Sequence, residues 1–199
     1  MNYDNLIKQC KYLKPFYDKY GTPDITEKNE KFSGLIKTIT GQLLSTNAAR
    51  TIYNRVMEKV GGENYDDWLK ISFDDLRACG LNKAKIDTLT TVATDIKNNT
   101  LDFEWLVKQD SQTIYDILIK YKGIGDWTAK GYPLMQLQKE DFFLNEDLGV
   151  RDGVQVVMNL DERPSSEYCQ KVYEKNWQPY GGSASRLMWF YKDSQKNKN

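Results

Sequence analysis

Leu118-Ile119-Lys120-Tyr121-Lys122-Gly123-Ile124-Gly125-Asp126-Trp127-Thr128-Ala129 is the stretch on which the fold turns. It reads as the end of one helix, a Gly-Ile-Gly turn and the start of a second helix. Glycine takes the left-handed backbone conformation freely and lets another chain come close, so a side chain on either glycine is expected to be in the way. The first N–H groups of the second helix lack partners within it and sit at the positive end of its dipole. Such a turn can hold a phosphate through backbone donors, with Lys120, Lys122 and Lys130 adding local charge. A lone Gly-x-Gly turn between helices, however, more often only packs.

Outward from that turn the apolar spacing is helical throughout. Ser33 to Leu44 carries Leu35, Ile36, Ile39 and Leu43 on one stripe. Asn47 is expected to cap the next helix, which keeps its period through Val56 and Val60 until Gly61-Gly62 stops it. Ser72 with Asp75 resembles a capping box for a short helix ending before Gly80. Asn82 opens a helix through Ile86, Leu89, Ala93 and Ile96, closed by Asn98-Asn99, and Ser111 opens another. Asp126 to Leu137, Asp147 to Val157, Ser165 to Asn176 and Ser183 to Tyr191 complete the set. Pro133 is expected to bend the first of these, and Gly149 and Gly153 to weaken the second. The polar tail from Ser194 to Asn199 is expected to fray. Strand-length alternation is absent, so the fold class is all-α.

Composition narrows the chemistry. With 199 residues the chain suits one compact domain, and 28 basic against 28 acidic side chains exclude a protein that grips nucleic acid by bulk basicity. The absence of histidine removes Ser-His-Asp and Cys-His hydrolysis, histidine bases and histidine-ligated metals. Cys10, Cys79 and Cys169 form no CxxC pair, and an odd number suits reduced thiols. No segment is long and apolar enough for a membrane span, which points to an intracellular protein without a membrane partner.

A second stretch, Asp141-Phe142-Phe143-Leu144-Asn145-Glu146-Asp147-Leu148-Gly149-Val150-Arg151, follows the turn after one helix and a loop. Asp147 stands where a helix N-terminus favours an ionised carboxylate. On local sequence alone it is a helix cap, and Glu146 beside it competes for any catalytic part.

Together these pieces resemble the helix-hairpin-helix (HhH-GPD) DNA glycosylase superfamily, whose pattern is a hairpin, a Gly/Pro-containing loop and an invariant aspartate. The nearest likeness is to its 3-methyladenine DNA glycosylase II branch. Gly41-Gln42-Leu43-Leu44-Ser45 looks like the family's loop that wedges into the duplex, and Gly80-Leu81-Asn82-Lys83-Ala84-Lys85 like its GL-S-x-x-K-A turn. Gly123-Ile124-Gly125-Asp126-Trp127-Thr128-Ala129 and Asp147 to Arg151 are the most specific pieces. Trp177-Gln178-Pro179-Tyr180, followed by Ser183-Ala184 and Trp189, resembles the family's last helix.

The resemblance implies two helical lobes with a cleft between them, one of about residues 33–137 containing a hairpin unit at 112–137, the other of about 1–32 plus 138–199. It lacks room for the extra N-terminal domain of some members, which implies a minimal version. Asp147 takes the catalytic role, Trp127 and Trp189 line the base pocket, and Gly123, Ile124, Gly125 and Thr128 form the DNA-binding hairpin. Gln42, Leu43 and Leu44 form the intercalating loop that fills the space of an extruded base. Helix-end core packing is the plainer role for Leu44, and core burial for Trp68, Trp105 and Trp177. Tyr132 has no clear family counterpart and receives no role.

The implied activity is excision of alkylated purines (3-methyladenine, 7-methylguanine) from damaged double-stranded DNA by a monomer, in a bacterial cytoplasm at the nucleoid or in a nucleus. Members that also cut the strand carry a lysine two residues after the second hairpin glycine. Here that position is Trp127, which cannot form a Schiff base, and Lys130 sits at another helical angle. A monofunctional enzyme follows. The iron–sulfur branch needs four clustered cysteines, so no cluster is expected, and no organic cofactor. A monovalent cation, Na or K, at hairpin carbonyls is implied by resemblance alone. An oxidised-purine (8-oxoguanine) glycosylase and a non-catalytic hairpin module remain the alternatives.

Overall fold

The computed structural model describes residues 1–24 and 28–196, and every regular element among them is a helix. Along the chain these are α1 (Tyr3–Gln9), α2 (Lys14–Tyr20), α3 (Phe32–Gly41), α4 (Thr46–Val60), α5 (Tyr65–Leu69), α6 (Phe73–Ala78) and α7 (Lys83–Lys97). Then come α8 (Phe103–Leu106), α9 (Ser111–Leu118), α10 (Asp126–Leu137), α11 (Leu148–Met158), α12 (Ser166–Asn176) and α13 (Gly181–Lys196). The chain divides into two compact units, residues 27–137 and residues 1–26 with 138–199. No helix among the described residues is long and apolar enough to cross a membrane.

Side-chain caps set most helix starts. Asn82 accepts from the Lys85 N–H, Ser72 from Asp75 and Ser165 from Tyr168, each satisfying a donor the helix leaves orphaned. One start differs from expectation. Ser45, not Asn47, caps α4, its side chain reaching the third N–H, while α9 opens at Ser111 as read, with Asp110 as its cap. Gly61 closes α4 with φ 70°, as a left-handed C-cap requires. α1, α2, α5 and α8 escaped the periodicity reading because four to seven residues span too few turns to display a stripe. The last helix runs through Ser194 to Lys196 rather than fraying there; residues 197–199 lie outside those described.

In the 27–137 unit the core gathers on α3. Leu35, Ile36 and Ile39 are buried, and Phe32 meets Trp68 and Phe103 edge-on at 6.4 and 6.0 Å. Tyr132 belongs to this core, on α10, which continues through Pro133. In the other unit α11 crosses α13 so closely that a Cβ on Gly153 would lie 2.2 Å from the Met188 carbonyl oxygen. The start of α13 is held by Glu140, whose carboxylate accepts from the Ser183 N–H at 2.7 Å and from Asn2 N at 2.7 Å. Trp177 is buried here, its Nε1 donating to Cys10 Sγ at 3.3 Å. All three cysteines are buried free thiols, and burial pushes the Cys169 thiol up to about 11.

Candidate active site

Asp147 occupies the N-cap of α11 and is half-buried. Its Oδ1 accepts two hydrogen bonds, from the Val150 N–H at 2.8 Å and from Trp189 Nε1 at 2.8 Å. The cap role and the candidate catalytic role therefore fall on one carboxylate. The helix end supplies the donor, and the indole from α13 fixes the orientation. Glu146, the competitor, is exposed. Gly149 explains how close the groups come: a Cβ there would lie 3.1 Å from Asp147 Oδ1, 3.0 Å from Trp189 Cδ1 and 3.1 Å from Lys192 Nζ. Lys192 was missed by sequence reasoning. The signal was its place three residues after Trp189 on the same helix face.

The hairpin turn joins α9 to α10. Gly123 has φ 92°, and a Cβ on it would lie 2.1 Å from Thr88 Oγ1. Gly125 is exposed, has an ordinary φ, and nothing lies within 4 Å of where its Cβ would be. The expectation that both glycines are sterically required holds for Gly123 and fails for Gly125. Ile124 and Thr128 belong to the hairpin through its interior rather than its surface. Both are buried, and their N–H groups donate within the turn, to Tyr121 O and Gly125 O at 3.0 Å each. Asp126 is neutralised locally: it accepts from Tyr115 Oη at 2.8 Å and pairs with Lys130 at 2.8 Å. That ion pair also commits Lys130, leaving Lys120 and Lys122 as the exposed cations of the turn.

Gly123→Ala is expected to cost about 2 kcal/mol, because the left-handed backbone and the fixed Thr88 hydroxyl both reject a methyl. A thermal melt checks the stability loss. A duplex-binding titration on the same variant should show weakened affinity.

The loop after α3 departs most from its sequence reading. Leu43, counted in the apolar stripe, lies past the end of the helix with φ 58° and a relative exposure of 105%. Leu44 is 39% exposed, not packed in the core. Gln42 points the other way, its Nε2 donating to Gly123 O at 3.1 Å and to Thr128 Oγ1 at 2.8 Å. Trp105 is another correction, at 46% exposure, whereas Trp68 is buried as expected. Trp127, on α10, and Trp189, on α13, are both half-buried.

Residues 36–179 match the HhH-GPD superfamily base excision DNA repair proteins. The chain belongs to that superfamily. DNA-3-methyladenine glycosylase 1 of Schizosaccharomyces pombe is 26% identical over 188 residues, covering 92% of this chain and 82% of that protein. DNA-3-methyladenine glycosylase of Saccharomyces cerevisiae is 33% identical over 148 residues, covering 68% of this chain and 49% of that protein. The chain thus spans about half the length of the second relative. Among solved structures, DNA-3-methyladenine glycosidase from Bacillus halodurans superposes with a TM-score of 0.78 at 28% identity, over 97% of this chain and 89% of that one.

A monovalent cation at the hairpin would be held by backbone carbonyls. The Lys122 and Gly123 carbonyls already accept from Thr88 and Gln42. Each carbonyl keeps a second lone pair, so the donors fit such an ion in kind. Among the described residues no group of three or more Cys, Asp or Glu could hold a metal.

Proposed function

We propose that this HhH-GPD protein is a monofunctional DNA glycosylase that hydrolyses the N-glycosidic bond of alkylated purines in duplex DNA, in the nucleoid or nucleus. The observation that carries the reading is the Asp147 carboxylate, oriented by the Val150 N–H and the Trp189 indole. Two relatives named DNA-3-methyladenine glycosylase support the substrate class.

The target base must first leave the stack. Leu43, exposed at the tip of its loop, plugs the gap. The hairpin holds a phosphate of the duplex. The open space beside Gly125 lets the DNA backbone approach, and Lys120 and Lys122 supply charge. As the bond between C1′ and the base nitrogen breaks, its electron pair leaves with the base and positive charge grows on the sugar. Asp147 stabilises that charge and takes a proton from the water that attacks C1′. A methylated purine of this kind carries its own positive charge, and an electron-rich indole such as that of Trp127 or Trp189 attracts a cation. A monovalent cation at the hairpin would be held by its carbonyls and would add positive charge beside the phosphate.

Incubation with methylated duplex DNA should release free 3-methyladenine and 7-methylguanine, whereas a duplex carrying 8-oxoguanine should release none. Release of the oxidised base alone would move the assignment to oxidised purines. Tight binding with no release from any duplex would leave only a binding module. Borohydride added during turnover should trap no protein–DNA adduct, because Trp127 stands where a Schiff-base lysine would be. A trapped adduct would end the monofunctional reading.

A further inference from the structure

Leu43 is held in a conformation that works against it. A non-glycine residue at φ 58° is strained, and a fully exposed leucine recovers nothing by burial. Such strain persists only where the surroundings over-determine it. Here the surroundings are the residues on either side of Leu43 and a buried lysine.

Lys85, on α7, is 9% exposed, and its Nζ donates to Thr40 O and to Gln42 O at 2.9 Å each. These carbonyls close α3, at the negative end of its dipole, where acceptors have no partner inside the helix. Gln42, held by its carbonyl, uses its side chain to bond Gly123 O and Thr128 Oγ1 in the hairpin. One turn along α7, Thr88 Oγ1 lies 2.8 Å from Lys122 O and fills the space beside Gly123. One face of α7 therefore carries both the wedge loop and the hairpin turn.

Packing alone does not account for a lysine at this position. Burying an ammonium against neutral carbonyls costs free energy, and burial pulls the Lys85 pKa down. A methionine would fill similar space without that cost. What the ammonium adds is direction: two charge-assisted bonds that define where the chain leaves α3.

We infer that Lys85 and Gln42 form a bracket that sets the position of Leu43 relative to the hairpin, making Lys85 a positioning residue for base extrusion. The inference rests on the proposed wedge role of Leu43. With the bracket intact, the spacing between the plug in the base stack and the grip on the phosphate is built in before DNA arrives. The leucine's ordering is then settled at folding rather than on binding.

A double-substitution cycle tests this on single-turnover excision of 7-methylguanine from a duplex oligonucleotide. Leu43→Ala is the reference, and Lys85→Met removes the bracket. Lys85→Met is expected to slow excision roughly tenfold in the parent chain and less than about twofold in the Leu43→Ala background, because the two act through one side chain. Equal slowing in both backgrounds would make Lys85 a general structural residue and overturn the inference. Slowing by Leu43→Ala with none by Lys85→Met would also overturn it, leaving the wedge intact. No slowing by Leu43→Ala would instead remove the wedge reading, and the inference with it. If Lys85→Met fails to fold, Gln42→Ala, at a half-buried side chain, enters the same cycle with the same expected pattern.

Discussion

Asp147→Asn is expected to lower single-turnover release of alkylated purines by a factor of roughly a thousand or more, while the protein stays folded. The asparagine side-chain oxygen can still accept from the Val150 N–H and from Trp189 Nε1, the two bonds that Oδ1 accepts now. Those two contacts can therefore survive while the negative charge goes. That charge is what the reaction needs, because the sugar becomes cationic as the base departs. DNA affinity should hold or rise, since a carboxylate near phosphates opposes binding. The checks are a thermal melt, binding to a duplex with a stable abasic-site analogue, and the excision rate. Undiminished release would transfer the catalytic role elsewhere, with exposed Glu146 the first residue to test.

Gly153→Val carries the largest expected stability loss. A Cβ at Gly153 would meet the Met188 carbonyl oxygen, carbonyl carbon and Cα at 2.2, 2.5 and 2.6 Å. These are backbone atoms, which cannot turn aside as a flexible side chain would. α11 and α13 must move apart, opening the packing around Val150, Val154 and Leu187, all buried. A cost of about 3 kcal/mol or more follows, a fall in Tm of roughly 6–12 °C for a chain of this size. Activity should fall further than stability, because α11 carries Asp147 and α13 carries Trp189. Gly125→Ala is the matched control for the melt. Nothing lies within 4 Å of its Cβ, so the Tm should stay within about 1 °C. A Gly153→Val protein melting like the parent would mean that the two helices tolerate a wider spacing than their packing here requires.

These two expectations separate what was legible in the sequence from what was not. The cap role of Asp147 was legible because a carboxylate at a helix start is a local pattern and its bond from Val150 spans three residues, whereas its candidate catalytic role came only from the likeness to the family. Its second bond, from Trp189, spans 42 positions and depends on the crossing of α11 and α13. Gly153 read as a weak spot in a helix, which is what local propensity says of any such glycine. Its role as the crossing point appears only when Met188 lies against it. Leu43 shows the same limit from the other side. Its apolar spacing continued the α3 stripe, but the helix ends at Gly41 and the next two residues turn away. Trp105 misled because tryptophan is usually covered, and nothing near it in sequence reveals that its face of α8 meets solvent.

From the sequence alone came the all-helical class, most helix limits, the hairpin turn, the Asp147 cap and the absence of histidine chemistry. Each is a property of composition or of neighbours within about one helical turn, where propensity, capping and periodicity act. Tertiary structure decided that Lys85 ties the end of α3, that Gln42 faces the hairpin while Leu43 faces solvent, and that Trp189 and Lys192 converge beside Asp147. These depend on contacts between segments about forty or more residues apart. Such contacts are selected by the packing of whole helices, so no short window of sequence contains them.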